Sequence, residues 1–413
     1  MTAAKTLSLV SLGCAKNAVD LQVRVGNLLK EGYRLSPDPD RADTCLVNTC
    51  AFIAEAREEA EAEIARALEL KRRGRYRRVV VLGCYPERYP ERRSLFPGVD
   101  GWEGVPGAWV ESKTPGMRLT GKAYAYLKIA EGCAHRCAYC AIPSIRGKYR
   151  SRPLKAVLKE ARALIKTGCR ELNVVAQDPM LWREGRDLTL PDLLWALDRI
   201  KGDFWVRVLY SYPSEITEEF VRWMLTAKHA VRYLDVPLQH TEPEILRRMN
   251  RAPAIEASRS AAEVLRAVIP GVTLRTTILT GFPGETRRRF ERMLADLKRM
   301  QFDRMGAFAY SPEKGTKGAG LRGRPSRAEA EARADEVRKL GAAIWREKAR
   351  RLTGTVEKAL VVAPGVARLA SQAPDVDGVV ILKGACPHAA AVGEFVRVRI
   401  VRADGFDFIG KVV

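Results

Sequence analysis

Cys133-Ala-His-Arg-Cys137-Ala-Tyr-Cys140 places three thiols within eight residues, directly after the apolar run Ala125–Ala130. A loop this short wraps three thiolates around one face of a 4Fe-4S cube, and three ligands leave the fourth iron without a protein donor. An open iron is a reaction site. The competing reading is a zinc knuckle, but a structural zinc wants four ligands, and His135 lies too close inside the loop to complete a tetrahedron easily.

Upstream, one pattern recurs three times: a short apolar run, a cysteine at its C-terminal end, then a helical stretch. The runs are Leu7–Leu12 before Cys14, Leu46–Val47 before Cys50 and Val79–Leu82 before Cys84, with amphipathic helices over Ala18–Leu29 and Ala54–Leu70. This alternation predicts βαβ units on a parallel sheet, whose strands open at their carboxyl ends onto one ligand crevice. Three cysteines distant in sequence then converge there, and again three ligands imply one free iron. Cys45, inside Thr44-Cys45-Leu46-Val47, reads as core or as a neighbour of the site; Cys169 and Cys386 have no partner by spacing and read as structural.

Downstream, six strands are expected at Ala125–Ala130, Glu171–Ala176, Trp205–Leu209, Tyr233–Val236, Val272–Leu279 and Arg304–Phe308. Helices fall between them at Leu154–Lys166, Leu190–Ile200, Glu215–Leu225, Ala257–Ala267 and Thr286–Met300. Six steps suit a partial (β/α)6 barrel rather than a closed eight-step one. A charged helix over Arg327–Arg351 is followed by strands at Val356–Val362, Gly378–Leu382, Phe395–Val401 and Phe406–Val412, a small β-barrel of the oligonucleotide-binding kind. The fold class is therefore α/β. An N-terminal parallel sheet domain spans 1–101, a Gly/Pro-rich linker 102–122, the partial barrel 123–345 and the β-module 346–413.

The whole composition agrees. In 413 residues, 46% hydrophobic content excludes a disordered or collagen-like chain. Lys+Arg 71 against Asp+Glu 49 gives +22, which points to a polyanion such as RNA, a ribosome or a membrane surface. Met1–Cys14 lacks the apolar core of a signal peptide and no stretch of about 18 uncharged apolar residues occurs, so a cytoplasmic protein without a membrane partner is expected. There, nine cysteines ask for a metal or redox site rather than disulfides.

The C-x3-C-x2-C loop resembles the radical S-adenosylmethionine superfamily. Together with the scattered N-terminal set, the chain resembles the methylthiotransferase family along essentially its whole length, in three parts: an N-terminal methylthiotransferase domain, a radical S-adenosylmethionine domain and a C-terminal TRAM domain. The strings that carry this are Ser11-Leu-Gly-Cys14-Ala-Lys-Asn17, Asn48-Thr-Cys50-Ala-Phe52, Lys128-Ile-Ala-Glu-Gly-Cys133, Ile142-Pro-Ser-Ile-Arg146-Gly-Lys148 and Gly281-Phe-Pro-Gly-Glu285-Thr286. Tyr212-Pro-Ser-Glu-Ile216, Asp235-Val-Pro-Leu-Gln-His240 and Ala373-Pro-Asp-Val-Asp-Gly378 are similar to the RimO-type branch, which modifies an aspartate of small-subunit ribosomal protein twelve. The other branch modifies transfer-RNA adenosines. Val19-Asp20-Leu21-Gln22 departs from the family, which usually has Ser-Glu after the Asp, so the roles of Asp20 and Gln22 are left open.

The resemblance implies two 4Fe-4S clusters, one on Cys14, Cys50 and Cys84 and one on Cys133, Cys137 and Cys140, with S-adenosylmethionine on the second. It implies that one S-adenosylmethionine methylates a sulfur at the first cluster. A second is cleaved to a 5′-deoxyadenosyl radical that takes hydrogen from the aspartate β-carbon. No catalytic group beyond the ligands is expected. Tyr139, between two ligands, is similar to the aromatic beside the adenine; Gln177, Ser211, Gln239 and Arg275, at strand ends, and Phe308 are the expected cofactor contacts. Asp178 and His240 read equally as cofactor contacts or as polar caps on the barrel rim. Arg146, Arg150 and Arg152 read as a solvated basic loop or as a binder of a substrate or cofactor carboxylate. The basic runs Lys71–Arg78 and Arg287–Arg289 read as exposed helix ends. Expected partners are the ribosomal protein, on the ribosome or off it, an electron donor such as a flavodoxin or ferredoxin, a sulfur donor, and RNA by contact. The alternatives are a 2-methylthio-forming enzyme of tRNA adenosine and a non-catalytic RNA- or ribosome-binding iron–sulfur protein. Three cysteines twice, rather than four, argue against the last.

Overall fold

In the computed structural model, which describes residues 5–106, 109–110, 112–384 and 390–413, the N-terminal sheet has five parallel strands. Their spatial order is Arg34–Leu35, Thr6–Ser11, Ala42–Thr49, Tyr76–Gly83, Gly101–Glu103. Both faces are covered, so the central strands read as unbroken apolar runs. Leu46, Val80 and Leu82 face the helix Ala15–Lys30, whereas Cys45, Val47, Val79 and Val81 face the helix Ala54–Arg72. Cys45 is a core residue of that second face, fully buried. The chain order reverses between Thr6–Ser11 and Ala42–Thr49, the topological position where open α/β sheets bind ligands.

The six barrel strands form two parallel halves. Tyr124–Lys128, Glu171–Val175 and Trp205–Val208 make the first; Tyr233–Asp235, Thr273–Thr280 and Arg304–Ala309 make the second. The halves join through a parallel bridge between Val206 and Ala230 and the Ser211 N–H to the Asp235 carbonyl. Outward residues such as Leu172, Val174, Val206 and Leu274 pack under the helices, among them Leu154–Lys166 and Arg287–Met300.

Three expectations need correction. The strand Gly101–Glu103 carries the N-terminal sheet into the segment read as linker from 102. The expected boundary at 345/346 falls inside one unbroken helix, Arg327–Leu352, because Trp345 packs on Phe408 at 5.5 Å and donates its indole N–H to the Gly405 carbonyl at 2.9 Å, joining the helix to the β-module. The β-module has a fifth strand, Val366–Leu369, missed because four residues are too few to show alternation; with it the barrel closes.

The β-module caps the N-terminal ends of the six barrel strands, opposite the cysteine loop. Its turn Ala373–Gly378 enters the lumen. There Asp375 accepts from the hydroxyls of Tyr124 (2.9 Å) and Tyr126 (2.6 Å), and Asp377 accepts from the Tyr233 hydroxyl and lies 3.7 Å from both Arg275 and Arg304. Beside it, buried Glu171 is held by Arg207 at 2.8 Å and by Arg368 of the β-module. Tyr126→Phe removes one hydrogen bond to a charged acceptor and is expected to destabilise the chain by about 1.5–3 kcal/mol in denaturant unfolding. No helix of the described residues is long and apolar enough to cross a membrane.

Candidate active site

The three neighbouring strands Thr6–Ser11, Ala42–Thr49 and Tyr76–Gly83 end in Cys14, Cys50 and Cys84, at one sheet edge. Backbone crowding there is severe. A side chain on Gly13 (φ +91°) would come within 2.9 Å of Cys50 Cβ, and one on Gly83 (φ +98°) within 2.7 Å of the Thr49 carbonyl, so both positions need glycine. Asn17 ties the edge together by donating to the Leu12 and Thr49 carbonyls, while Asn48 donates to the Asn17 carbonyl. Cys14 is solvent-accessible, Cys50 half-buried and Cys84 buried. Burial pushes the Cys84 thiol up to about 12 and raises that of Cys50. Cys14 keeps an exposed surface but is partly desolvated by the protein around it; that desolvation acts in the same sense, and Lys16 and Arg146 outweigh it and hold the thiol below its ordinary value.

Cys133, Cys137 and Cys140, in the loop after the first barrel strand, are half-buried free thiols. Their loop is pinned by the Ala138 N–H to the Met249 carbonyl, the Cys140 N–H to the Cys137 carbonyl and the Asn250 amide to the Arg136 carbonyl. Burial pushes Cys133 up to about 11 and Cys140 up to about 12. His135 is engaged elsewhere, 2.6 Å from Asp178 and stacked on Tyr212 at 4.0 Å, so Asp178 is a partner of this loop. Arg251 donates toward Cys137 Sγ at 3.7 Å and the Tyr139 hydroxyl at 3.4 Å while lying over Tyr212.

The expected cofactor contacts divide. Tyr139 packs with Phe282, Tyr310 and Met249 beside the cysteine loop. Ser211 is fully buried with no partner for its hydroxyl among the described residues, Gln239 adopts φ +67°, and Phe308 is 55% exposed. Gln177 donates to Glu131 at 2.9 Å, with its other amide atom unpartnered. Arg275 lies deep, bound to Asp235 at 3.3 Å and facing Asp377 of the β-module, because it is the third residue of its strand and not at the end. His240 is a structural support: its Nδ1 accepts two main-chain N–H groups, and its Nε2 is 3.3 Å from Glu285.

Arg146, read as solvated or substrate-facing, is instead buried between the domains. It binds Asp20 (2.9 Å), Glu131 (3.0 Å) and Cys84 Sγ (3.5 Å). Arg150 is exposed and Arg152 pairs with Glu160. Lys128 completes the cluster with Asp20 and Glu131, and Lys16 crosses to lie 3.5 Å over Tyr210. Asp20 thus joins the domains, while the Gln22 amide oxygen accepts from the Leu119 N–H of the connecting segment. Sequence reasoning missed Arg251 altogether; nothing in Asn250-Arg251-Ala252 marks it. Cys169 is buried with its thiol on the Glu171 carbonyl, and Cys386 lies outside the described residues.

Residues 6–103 match an uncharacterized protein family, UPF0004, residues 127–297 the radical SAM superfamily and residues 353–413 the TRAM domain. The chain is 38% identical, over 99% of its length and 98% of the relative's, to the ribosomal protein uS12 methylthiotransferase RimO of Syntrophus aciditrophicus (strain SB). It is 39% identical to that of Moorella thermoacetica, over 98% and 99%. The chain belongs to the RimO family of radical SAM methylthiotransferases. A radical S-adenosylmethionine methyltransferase, TsrM from Kitasatospora setae, shares the fold at a TM-score of 0.54 and 17% identity over 94% of this chain and 84% of that one.

As a RimO-family enzyme it uses S-adenosylmethionine and 4Fe-4S clusters, and the donor set fits them. The six thiols lie in two sets of three, each set within mutual electrostatic reach. Among the described residues no three His, Cys, Asp or Glu are tight enough to share a single ion.

Proposed function

We propose that this enzyme replaces a β-carbon C–H of an aspartate in ribosomal protein uS12 with a methylthio group, using the two sets of three cysteines as two cluster sites. The observation that carries this is the pair of three-cysteine sets, one at the strand ends of the N-terminal sheet and one in the loop after the first barrel strand, linked across the domain boundary by Arg146, in a chain related along its length to RimO proteins. Cys14, Cys50 and Cys84 hold the sulfur-carrying cluster; Cys133, Cys137 and Cys140 hold the cluster that binds S-adenosylmethionine. An unactivated C–H is far too weak an acid for proton transfer at neutral pH, so the bound S-adenosylmethionine supplies a carbon radical and the first cluster a methylated sulfur.

The chain's own residues position and shield. Tyr139, from the cysteine loop, and Ser211, Gln239 and Phe308, near strand ends, line the cofactor's place; Gln177 and Arg275 support it through Glu131 and Asp235. Arg251 donates to Cys137 and stabilises the charge on its sulfur. Segments 1–103, 123–352 and 353–413 act as cluster domain, radical domain and basal cap. A flavodoxin- or ferredoxin-type electron donor and a sulfur donor complete the partner set. The basic runs are background attraction to the ribosome: Lys71, Arg72, Arg73, Arg75 and Arg287 are paired with carboxylates of this chain.

The test is mass spectrometry of ribosomal proteins and of digested tRNA from a deletion strain. The expected result is loss of one methylthio substitution from uS12 with tRNA unchanged; loss from tRNA alone overturns the reading.

A further inference from the structure

Arg146 sits at the end of the short helix Ile142–Arg146, in the radical domain, yet its guanidinium points into the other domain. Its side chain is 1% exposed. One nitrogen reaches Asp20 and both oxygens of Glu131; the other reaches Cys84 Sγ at 3.5 Å and Asn17 Oδ1 at 3.3 Å. With Lys128, two cations meet two carboxylates, so the group is charge-balanced and Asp20 is its contribution from the N-terminal domain. A guanidinium serves both directions at once because its donors form a rigid fork; a lysine reaches only one. The other cysteine set has its own arginine, Arg251, which comes from the same domain as its thiols.

We propose that Arg146 is a positioning residue by which the radical domain sets the electron affinity of the N-terminal cluster. The inference rests on Cys14, Cys50 and Cys84 being that cluster's ligands. Without Arg146 the buried group would be Lys128 with Asp20 and Glu131, one negative charge in excess. The Arg146 guanidinium cancels that charge and places an N–H donor on a ligand sulfur, both of which stabilise the reduced, more negative cluster, and screening is weak where water is excluded. The potential of the sulfur-carrying cluster is thereby fixed only when the two domains are docked through Asp20.

The test uses the full chain, reconstituted anaerobically, as two backgrounds: C133A/C137A/C140A, which keeps only the N-terminal cluster, and C14A/C50A/C84A, which keeps only the other. If the first background binds no iron–sulfur cluster, the ligand assignment itself fails. With the cluster bound, redox titration followed by electron paramagnetic resonance is expected to show R146Q shifted to lower potential. R146K, which keeps the charge without the fork, should shift less. The cluster of the second background should not move with either variant. An unmoved potential for R146Q in the first background, or equal shifts in both, overturns the proposal. Should R146Q not fold, R146K alone decides by the same comparison.

Discussion

Cys50→Ala chain is expected to form no methylthiolated product while still cleaving S-adenosylmethionine to 5′-deoxyadenosine. The three thiols of the N-terminal edge come from three different strands, so removing one leaves two donors facing a cube that needs three. The other set lies on a separate loop of another domain and keeps its ligands. Iron per chain should fall from about eight to about four, in keeping with one lost 4Fe-4S cluster. Cys137→Ala should behave differently, losing 5′-deoxyadenosine and product together. Product at the wild-type rate from the Cys50→Ala chain would show that the N-terminal set does not carry the sulfur.

The largest stability effect is expected at Glu171, far from either cluster. Glu171→Gln keeps the side chain's shape but removes the charge between Arg207 and Arg368, leaving two buried guanidinium groups without a counter-ion. Breaking such a buried group by removing one partner costs about 3–5 kcal/mol, and denaturant unfolding should read it directly. Burial alone raises the Glu171 carboxyl, but Arg368 and Arg207 outweigh it and hold the carboxyl below the ordinary glutamate value. The folded value is the lower one, so the stabilisation is present above the unfolded glutamate value and lost as pH falls through the folded one. The gap between wild type and Glu171→Gln should therefore narrow in acid; a gap that widens would contradict the ionised trio.

Much of this architecture was legible in the residues. The C-x3-C-x2-C loop is local, so its three thiols are brought together by spacing alone. The recurrence of Cys14, Cys50 and Cys84 after apolar runs is legible because parallel sheets align their strand ends, and the observed strand order puts all three at one edge. The βα alternation gave six barrel strands close to their observed ranges, since each run alternates with an amphipathic helix of matching length. What failed to show was short or shared: the four-residue strand Val366–Leu369 and a helix that belongs to two domains at once.

By itself, then, the sequence determined the fold class and singled out the two sets of three thiols, because strand ends and short loops obey local periods. Only the tertiary structure decided what surrounds them. Arg146 meets Cys84 across 62 positions, and Tyr126 meets Asp375 across 249. These meetings are set by how separately folded surfaces dock, through charge pairing and shape at a buried interface, and no local period in the chain encodes that.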